Sequence, residues 1–556
     1  MRKRTPVRLW CAAVVSGIAL LAGCSDNPLA IRNQNNPDVA RVYGTPRDVE
    51  TILSKLFQQM WNAQHGAVGI GAQTMVMSLE SHSALANFSM GARATIPRGT
   101  ISNSLGNASQ TENFRDFDVL TRNTRSAANA IAALDRFIAK GTGTGSPARD
   151  ARARSFGYFN LGYGLANVAL IYDSAAIITP DVPSDVVPPL SDSKAVMDVA
   201  LKMLDSALAI SSSANATNGT GGWPIPGGWL SGGLAADVPI ARWQQVIRSY
   251  KARFRAGEPR LPAERAAVDW NAVVNDATNG ITTDFIVNAD ATLGWSATWQ
   301  SQLAVDATWS QMTPMILGMA DTTGAYDAWL ATSLTQRTPF LLRTPDKRFP
   351  SGDTRGIQQA VTGGSRAGTP VGSILYFRNR PAGEDSPAEP WGNWYYDNWR
   401  FWAIRQAGGN GPVEAFSLAE NDMLAAEGYI RTNRVALAIP LINTYRTRAG
   451  LAAIPSTTDA NTVIPGGAAC VPRVPQPPGY TTTACGNVLE AMKWEKRLET
   501  SFTGYAQWWI DARGWGDLVQ NTVVEWPVPW QELYARVNLN LYTTDKVRAA
   551  KGTYGF

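Results

Sequence analysis

Residues 416–451 read FSLAENDMLAAEGYIRTNRVALAIPLINTYRTRAGL. Ala419, Met423, Ala426 and Ile430 recur at three- and four-residue spacing, which is one face of an α-helix. Val435, Ile439 and Ile442 form a second stripe after a short turn. Proline at 440 removes a helix donor and crowds the preceding turn, so the second helix should kink there. The stretch therefore predicts a helical hairpin within 414–450.

The same period recurs outward from it. Thr45-Pro46 opens a helix whose apolar face carries Val49, Ile52, Leu53, Leu56 and Met60. Segments 114–140, 151–178, 191–210, 240–256 and 263–281 continue the pattern, and the turn GTGTGS at 141–146 joins two of them. A last strong helix is expected over 488–509. Hairpins of this length approximate tetratricopeptide units without a strict repeat. Between 283 and 412 the helical period weakens while Gly, Pro, Thr and aromatics rise, which predicts long loops and short strands inserted in a helical frame. The expected fold is mainly α: a scaffold over about 47–282 and 413–520 around a loop-rich insertion at about 283–412.

The amino end carries Arg2, Lys3, Arg4 and Arg8, then the apolar run LWCAAVVSGIALL at 9–21. Basic start, short apolar centre and small residues are the parts of a secretory signal. About 13 apolar residues fall short of the ~20 that span a bilayer as a helix. Leu21-Ala22-Gly23-Cys24 resembles the lipobox of bacterial lipoproteins, which implies cleavage before Cys24, lipid attachment to it and, with Ser25 next, sorting to the outer membrane. Residues 24–46, rich in Asn, Asp and Pro, read as a tether.

Removing residues 1–23 leaves 46 Lys and Arg against 45 Asp and Glu, so the net charge falls from +5 to +1. A basic surface for nucleic acid is thereby excluded. Only Cys470 and Cys485 remain besides Cys24. They bracket a Pro-rich loop in an exported chain, where a disulfide is expected. Two histidines, His65 and His82, leave almost no material for a His-based catalytic triad or metal site, and no nucleophile-elbow, zincin or phosphate-loop motif is present. No catalytic residue, metal or cofactor is expected. Glu420, Glu427, Glu495 and Glu499 fall within helical patterns and read as salt-bridging or capping residues.

Several segments together resemble the SusD/RagB family of nutrient-binding surface lipoproteins. The hairpin at 416–451 ends in Asn443, Arg446, Arg448, Ala449, Gly450 and Leu451, matching the family's N-x-x-R-x-R-A-G-L. WEKRLETSFTGYAQWWIDARGWGDL at 494–518, PVPWQEL at 527–533 and TRSAANAIAALD at 124–135 match further blocks. The resemblance implies tetratricopeptide-like hairpins beneath a loop-rich ligand face, an oligosaccharide or peptide ligand, and a SusC-like TonB-dependent transporter as partner.

For the ligand face the sequence offers WGNWYYDNWRFW at 391–402. Trp391, Trp394, Tyr395, Tyr396 and Trp399 would stack on sugar rings, while Asn393, Asn398 and Arg400 bind hydroxyls. Trp295 and Trp299 are further candidates; Trp223, Trp229, Tyr326 and Trp329 compete, and the polar loop 87–113 is a weaker one. A lipid-anchored polysaccharide hydrolase using two carboxylates and a helical scaffold for protein partners are the alternatives.

Overall fold

Thr45 caps the first helix, its hydroxyl accepting from the Asp48 N–H at 3.2 Å, and Pro46 fills the first helical position, where no donor is needed. This helix, α1 (Pro46–Gln64), is followed by α2 (Ile70–Met77), α3 (Gln110–Ala139), α4 (Pro147–Ile171), α5 (Ser193–Ser211), α6 (Ile240–Gly257) and α7 (Trp270–Thr278). After the loop-rich region come α8 (Leu418–Arg431), α9 (Val435–Arg448), α10 (Val488–Glu499) and α11 (Gln507–Trp515). This computed structural model describes residues 42–107, 110–218, 221–233, 235–305, 309, 311–361, 374–381, 390–537 and 544–556. The signal-like segment, Cys24 and nearly all of the expected tether lie outside the described residues. Among those residues, no helix is long and apolar enough to cross a membrane.

Helical hairpins form the frame. Helix α4 packs on α3 and α5, and α1 lies across α3 and α4. Almost every residue of α4 from Phe156 onward is buried, so it needs neighbours on all sides. Glycine permits them: a Cβ on Gly157 would stand 2.9 Å from Ile131, and one on Gly162 would meet the Ala200 carbonyl at 2.8 Å. Side chains of Ser146, Asp192, Asp269, Ser417 and Asn487 cap the starts of α4, α5, α7, α8 and α10. Helix α9 contains Pro440, as read from the sequence.

The described strands are short: β1 (Ser174–Ala176), β2 (Leu190–Asp192), β3 (Phe285–Ala289), β4 (Phe377–Asn379), β5 (Tyr396–Asn398), β6 (Gly411–Phe416), β7 (Arg473–Pro475) and β8 (Thr483–Cys485). Each pairs once, antiparallel. The β3–β6 pair, with Val287 opposite Val413, joins the two ends of the loop-rich segment and so closes it at its base. The β7–β8 pair is tied by the Cys470–Cys485 disulfide, with Cα atoms 5.7 Å apart.

Four helix expectations need correction. The pattern expected over 151–178 ends at Ile171, and Ser174–Ala176 are strand β1, paired with β2. Residues 411–416, where helix was expected from 414, are strand β6. The 263–281 pattern breaks into Pro262–Ala266 and α7, with Asp269 capping the second. The expected 488–509 helix ends at Glu499 and restarts at Gln507. Phe502 and Ala506 in between have φ of 56° and 55°, a left-handed conformation unfavourable for such residues. The turn is held from outside: buried Glu80 accepts from the Phe502 N–H at 2.6 Å and Gln300 donates to the Phe502 carbonyl at 3.1 Å.

Burial is charged as well as apolar. Arg265, without exposure, pairs with Glu427 at 2.6 Å and Asp511 at 3.1 Å. Arg253 pairs with Glu420 at 2.6 Å beneath the rings of Tyr250 and Phe416. Burial alone would raise the Glu427 pKa, but the Arg265 guanidinium, with Arg431 and Lys496, holds it at about 2.

Two outcomes follow. Arg265→Ala takes away the cation that two buried carboxylates share, leaving Glu427 with Arg431 and Asp511 with Lys496, and is expected to destabilise the fold by about 3 kcal/mol; denaturant unfolding within 1 kcal/mol of the parent would show that the pairing adds nothing. Burial raises Glu80 to about 8, only partly opposed by the Phe502 N–H. The folded state therefore holds this proton above the unfolded carboxylate pKa of roughly 4.3, and the stability it lends falls as pH rises from there to about 8. Glu80→Gln keeps an acceptor for Phe502 and should flatten the unfolding free energy between pH 5 and 8, as read in urea titrations; an unchanged slope would refute the assignment.

Candidate functional site

The aromatic run at 391–402 turns inward. Strands β4 and β5 are buried on both faces, and their register sets Asn379 opposite Tyr396 and Arg378 opposite Asp397. Trp394 has no exposure; its Nε1 donates to the Phe340 carbonyl at 2.6 Å and its ring meets Tyr396 edge-on at 4.9 Å. The Tyr396 hydroxyl donates to Gln358 at 2.6 Å. Trp399 stacks on Trp402 at 4.6 Å, with Arg378 over its ring and paired to Asp397 at 2.8 Å. Trp391 packs against His82 at 4.4 Å. The buried Asn398 accepts from the Arg400 N–H.

Trp391, Trp394, Tyr396, Trp399 and Asn398 are thus core residues, and the expectation that they face a ligand is corrected. Trp295 and Trp299 are corrected likewise: Trp295 packs on Phe57, and Trp299 sits between His65 and Phe502. Burial of these large rings stabilises the insertion, and a ring shielded on both faces has none left for a sugar. Arg400 is half-buried and engaged by Glu414 at 3.2 Å and the Glu499 carbonyl at 2.7 Å. Asn393 and Tyr395, like Arg400, keep partial exposure, and Arg355 lies over the Tyr395 ring at 4.2 Å. Tyr326 and Trp329 are buried, while Trp229 is held between Phe156 and Arg152.

An aromatic pair that the sequence reading did not single out is partly open. Phe88 and Trp309 stack with centroids 5.5 Å apart and planes 20° from parallel, both half-buried and packed against the core. Phe88 and Ser89 lie consecutively in the left-handed region, at φ 56° and 60°. Two such residues cost about 1–2 kcal/mol each. The turn closes where Gly91 donates to the Leu85 carbonyl at 2.7 Å, and a Cβ at Gly91 would press on the Ala84 and Leu85 carbonyls. Beside the pair, residues 82 and 311 bridge backbone to backbone, joining the first polar loop to the loop-rich segment. Phe88 falls within the loop 87–113 already marked as a candidate. Trp309 carried no periodic or motif signal, and only the bridge brings it to Phe88.

Other concavities are lined largely, though not wholly, by polar side chains already in use, Glu258 adding a further carboxylate to the larger one. A cleft of about 830 Å³ lies between α5, the 255–269 segment and Glu525. Of its carboxylates, Asp192 and Asp269 cap helices, Asp198 pairs with Lys194, Glu264 accepts the Arg260 and Leu261 N–H groups, and Glu525 faces Arg260 at 3.5 Å. A second, of about 710 Å³, is lined by the GTGTGS turn. There Asp150 accepts from the Thr144 N–H and hydroxyl, so the turn's donors meet a carboxylate, as in a linker. Among the described residues no cluster of three His, Cys, Asp or Glu side chains is placed to hold a metal ion.

Of the four blocks singled out in the sequence, those at 416–451 and 494–518 interlock. Asn443 of α9 exchanges hydrogen bonds with the Ile454 backbone at 2.8 and 2.9 Å. Arg446 reaches the Val471 carbonyl and Glu495, and Arg448 pairs with Glu499 at 2.5 Å. Arg348, from the loop-rich segment, binds Asp346, Glu495 and Glu499 together. These motif residues therefore hold the frame together.

No protein-family model matches the chain, and no curated protein does. Solved structures are similar over most of its length. A SusD superfamily protein from Bacteroides vulgatus aligns with TM-score 0.49 and 12% identity over 91% of this chain and 94% of its own. One from Bacteroides thetaiotaomicron aligns with TM-score 0.49 and 12% identity over 89% and 97%. A SusD-like carbohydrate binding protein from Bacteroides vulgatus gives 0.40 and 13% over 84% and 83%. Over 84–91% of its length, at 12–13% identity, this chain is similar to solved SusD-superfamily and SusD-like proteins.

Proposed function

We propose that the chain is a SusD/RagB-type lipoprotein, held to the outer membrane through Cys24 and facing the cell exterior. In this reading it takes up an oligosaccharide and passes it to a SusC-like TonB-dependent transporter. The observation that carries the binding role is the Phe88–Trp309 stack: two rings left partly open on a protein that buries most of its other large aromatics. A strained left-handed turn that presents a ring at the surface is more readily understood as serving recognition than stability. Pyranose C–H faces pack on such rings, and the exposed Asn87 beside them offers a polar partner for hydroxyls. Anchor and transporter rest on the lipobox and on the 416–451 and 494–518 blocks.

Titration calorimetry of the mature lipoprotein against a panel of oligosaccharides and peptides tests the binding role. Phe88→Ala and Trp309→Ala should each weaken the ligand by about 1 kcal/mol, roughly fivefold in Kd, with unfolding midpoints nearly unchanged. Trp394→Ala should instead lower stability by about 3–5 kcal/mol, as expected for a buried ring. Affinity indifferent to both surface substitutions would place the ligand elsewhere, and peptide binding without oligosaccharide binding would change the ligand class.

A further inference from the structure

Three surface segments distant in sequence are joined by hydrogen bonds, and each exposes apolar side chains. The loop 181–189, DVPSDVVPP, exposes Val186 and Val187, the latter by 70%. The turn after Asn103 exposes Leu105 by 62%, and the helix Trp530–Ala535 with its last turn exposes Tyr534 by 60% and Val537 by 92%. Hydrogen bonds join the three. Arg536 donates to the Pro188 carbonyl at 2.6 Å, Asn103 donates to the Val528 carbonyl at 2.8 Å, and the Trp530 N–H donates to the Asn103 side chain at 3.0 Å. Trp530 meets Tyr534 edge-on at 6.3 Å. Exposed apolar groups scattered singly need no explanation, but a converging set marks a contact surface.

The position of the chain's amino-terminal side indicates what the surface touches. Arg125 of α3 donates to the carbonyls of Val182, Pro183 and Val186. One turn on, on the same helix face, Asn129 neighbours the Tyr43 side chain and partly opposes the burial that raises its pKa. The chain therefore joins the folded body beside the Val186–Val187 loop. Eighteen residues lie between Cys24 and Tyr43, a span of at most ~65 Å. Charge around the surface is largely balanced: Arg536 pairs with Glu532 at 2.6 Å, and Arg125 is occupied by the loop carbonyls while Asp181 and Asp185 lie in the same loop.

We infer that this face rests on the lipid bilayer that anchors the chain, with Val186, Val187, Leu105, Tyr534 and Val537 entering the headgroup layer. The inference builds on the lipoprotein reading above. Tyrosine and tryptophan at the margin of an aliphatic patch suit the membrane interface. With charges balanced, a zwitterionic surface suffices and contact is insensitive to salt. The seated face would fix the orientation of the body over the membrane, which a flexible tether alone does not.

The test uses the mature lipoprotein inserted in phosphatidylcholine vesicles, beside a lipidated Val187→Asp/Val537→Asp variant. Mass spectrometry first establishes the acyl group on Cys24. Amide hydrogen exchange through 184–187 and 531–537 should be roughly fivefold or more slower in the parent than in the variant, at both low and high salt. That protection should persist when protein is diluted below one chain per vesicle. Protection that fades on dilution would identify a second copy as the occupant and overturn the inference. So would equal exchange in an acylated, vesicle-bound parent and variant, leaving the lipoprotein reading intact. A chain without the acyl group would remove that reading and, with the tether, this one.

Discussion

Helix α10 carries Lys493, Glu495, Lys496, Arg497 and Glu499 into the interior, none more than 4% exposed. Taking an ion out of water costs several kcal/mol even after relaxation, so each must meet a partner there. Lys493 and Arg497 share Asp517, Lys496 takes Asp511, and Glu495 and Glu499 divide Arg348, Arg446 and Arg448. The partners come from α9, from α11 and the turn after it, and from the loop-rich segment. One buried charged helix thereby fixes the positions of three separate parts of the chain, and the irregular connections between them follow.

That requirement explains the division between frame and loops. Charge pairing and the β3–β6 closure hold the 283–412 segment at its base and at Arg348. Away from those points its aromatics pack into the same core as the helices, with Trp394, Tyr396, Trp399 and Phe377 all buried. Stability of a long insertion comes largely from burying such rings. A few rings, Phe88 and Trp309 among them, remain partly exposed.

Much of this architecture was legible from residue order. Helix α1, its Thr45 cap and the α8–α9 hairpin follow from period and capping, because a helix is built from contacts three and four residues apart. The acids Glu420, Glu427, Glu495 and Glu499 read correctly as structural for a related reason: they recur inside apolar helix patterns, where only pairing keeps a carboxylate buried. The break at 500–506 was not legible. Phe502 adopts its left-handed conformation because Glu80 and Gln300 hold its backbone, and both lie hundreds of residues away.

Sequence by itself determined the helical class, the capped helix starts, the two cysteines that join across their Pro-rich loop and the blocks that interlock through Arg446, Arg448, Glu495 and Glu499. Tertiary structure alone decided which aromatics are core and which are surface. WGNWYYDNWRFW is dense enough to serve either purpose, since an indole buries as favourably against protein as against sugar. Its orientation depends on partners such as Phe340, Gln358 and Arg378, brought to it by pairing and packing. The Phe88–Trp309 stack depends likewise on a bridge between residues 82 and 311. Local periodicity encodes local contacts; the facing of a ring is a property of distant ones.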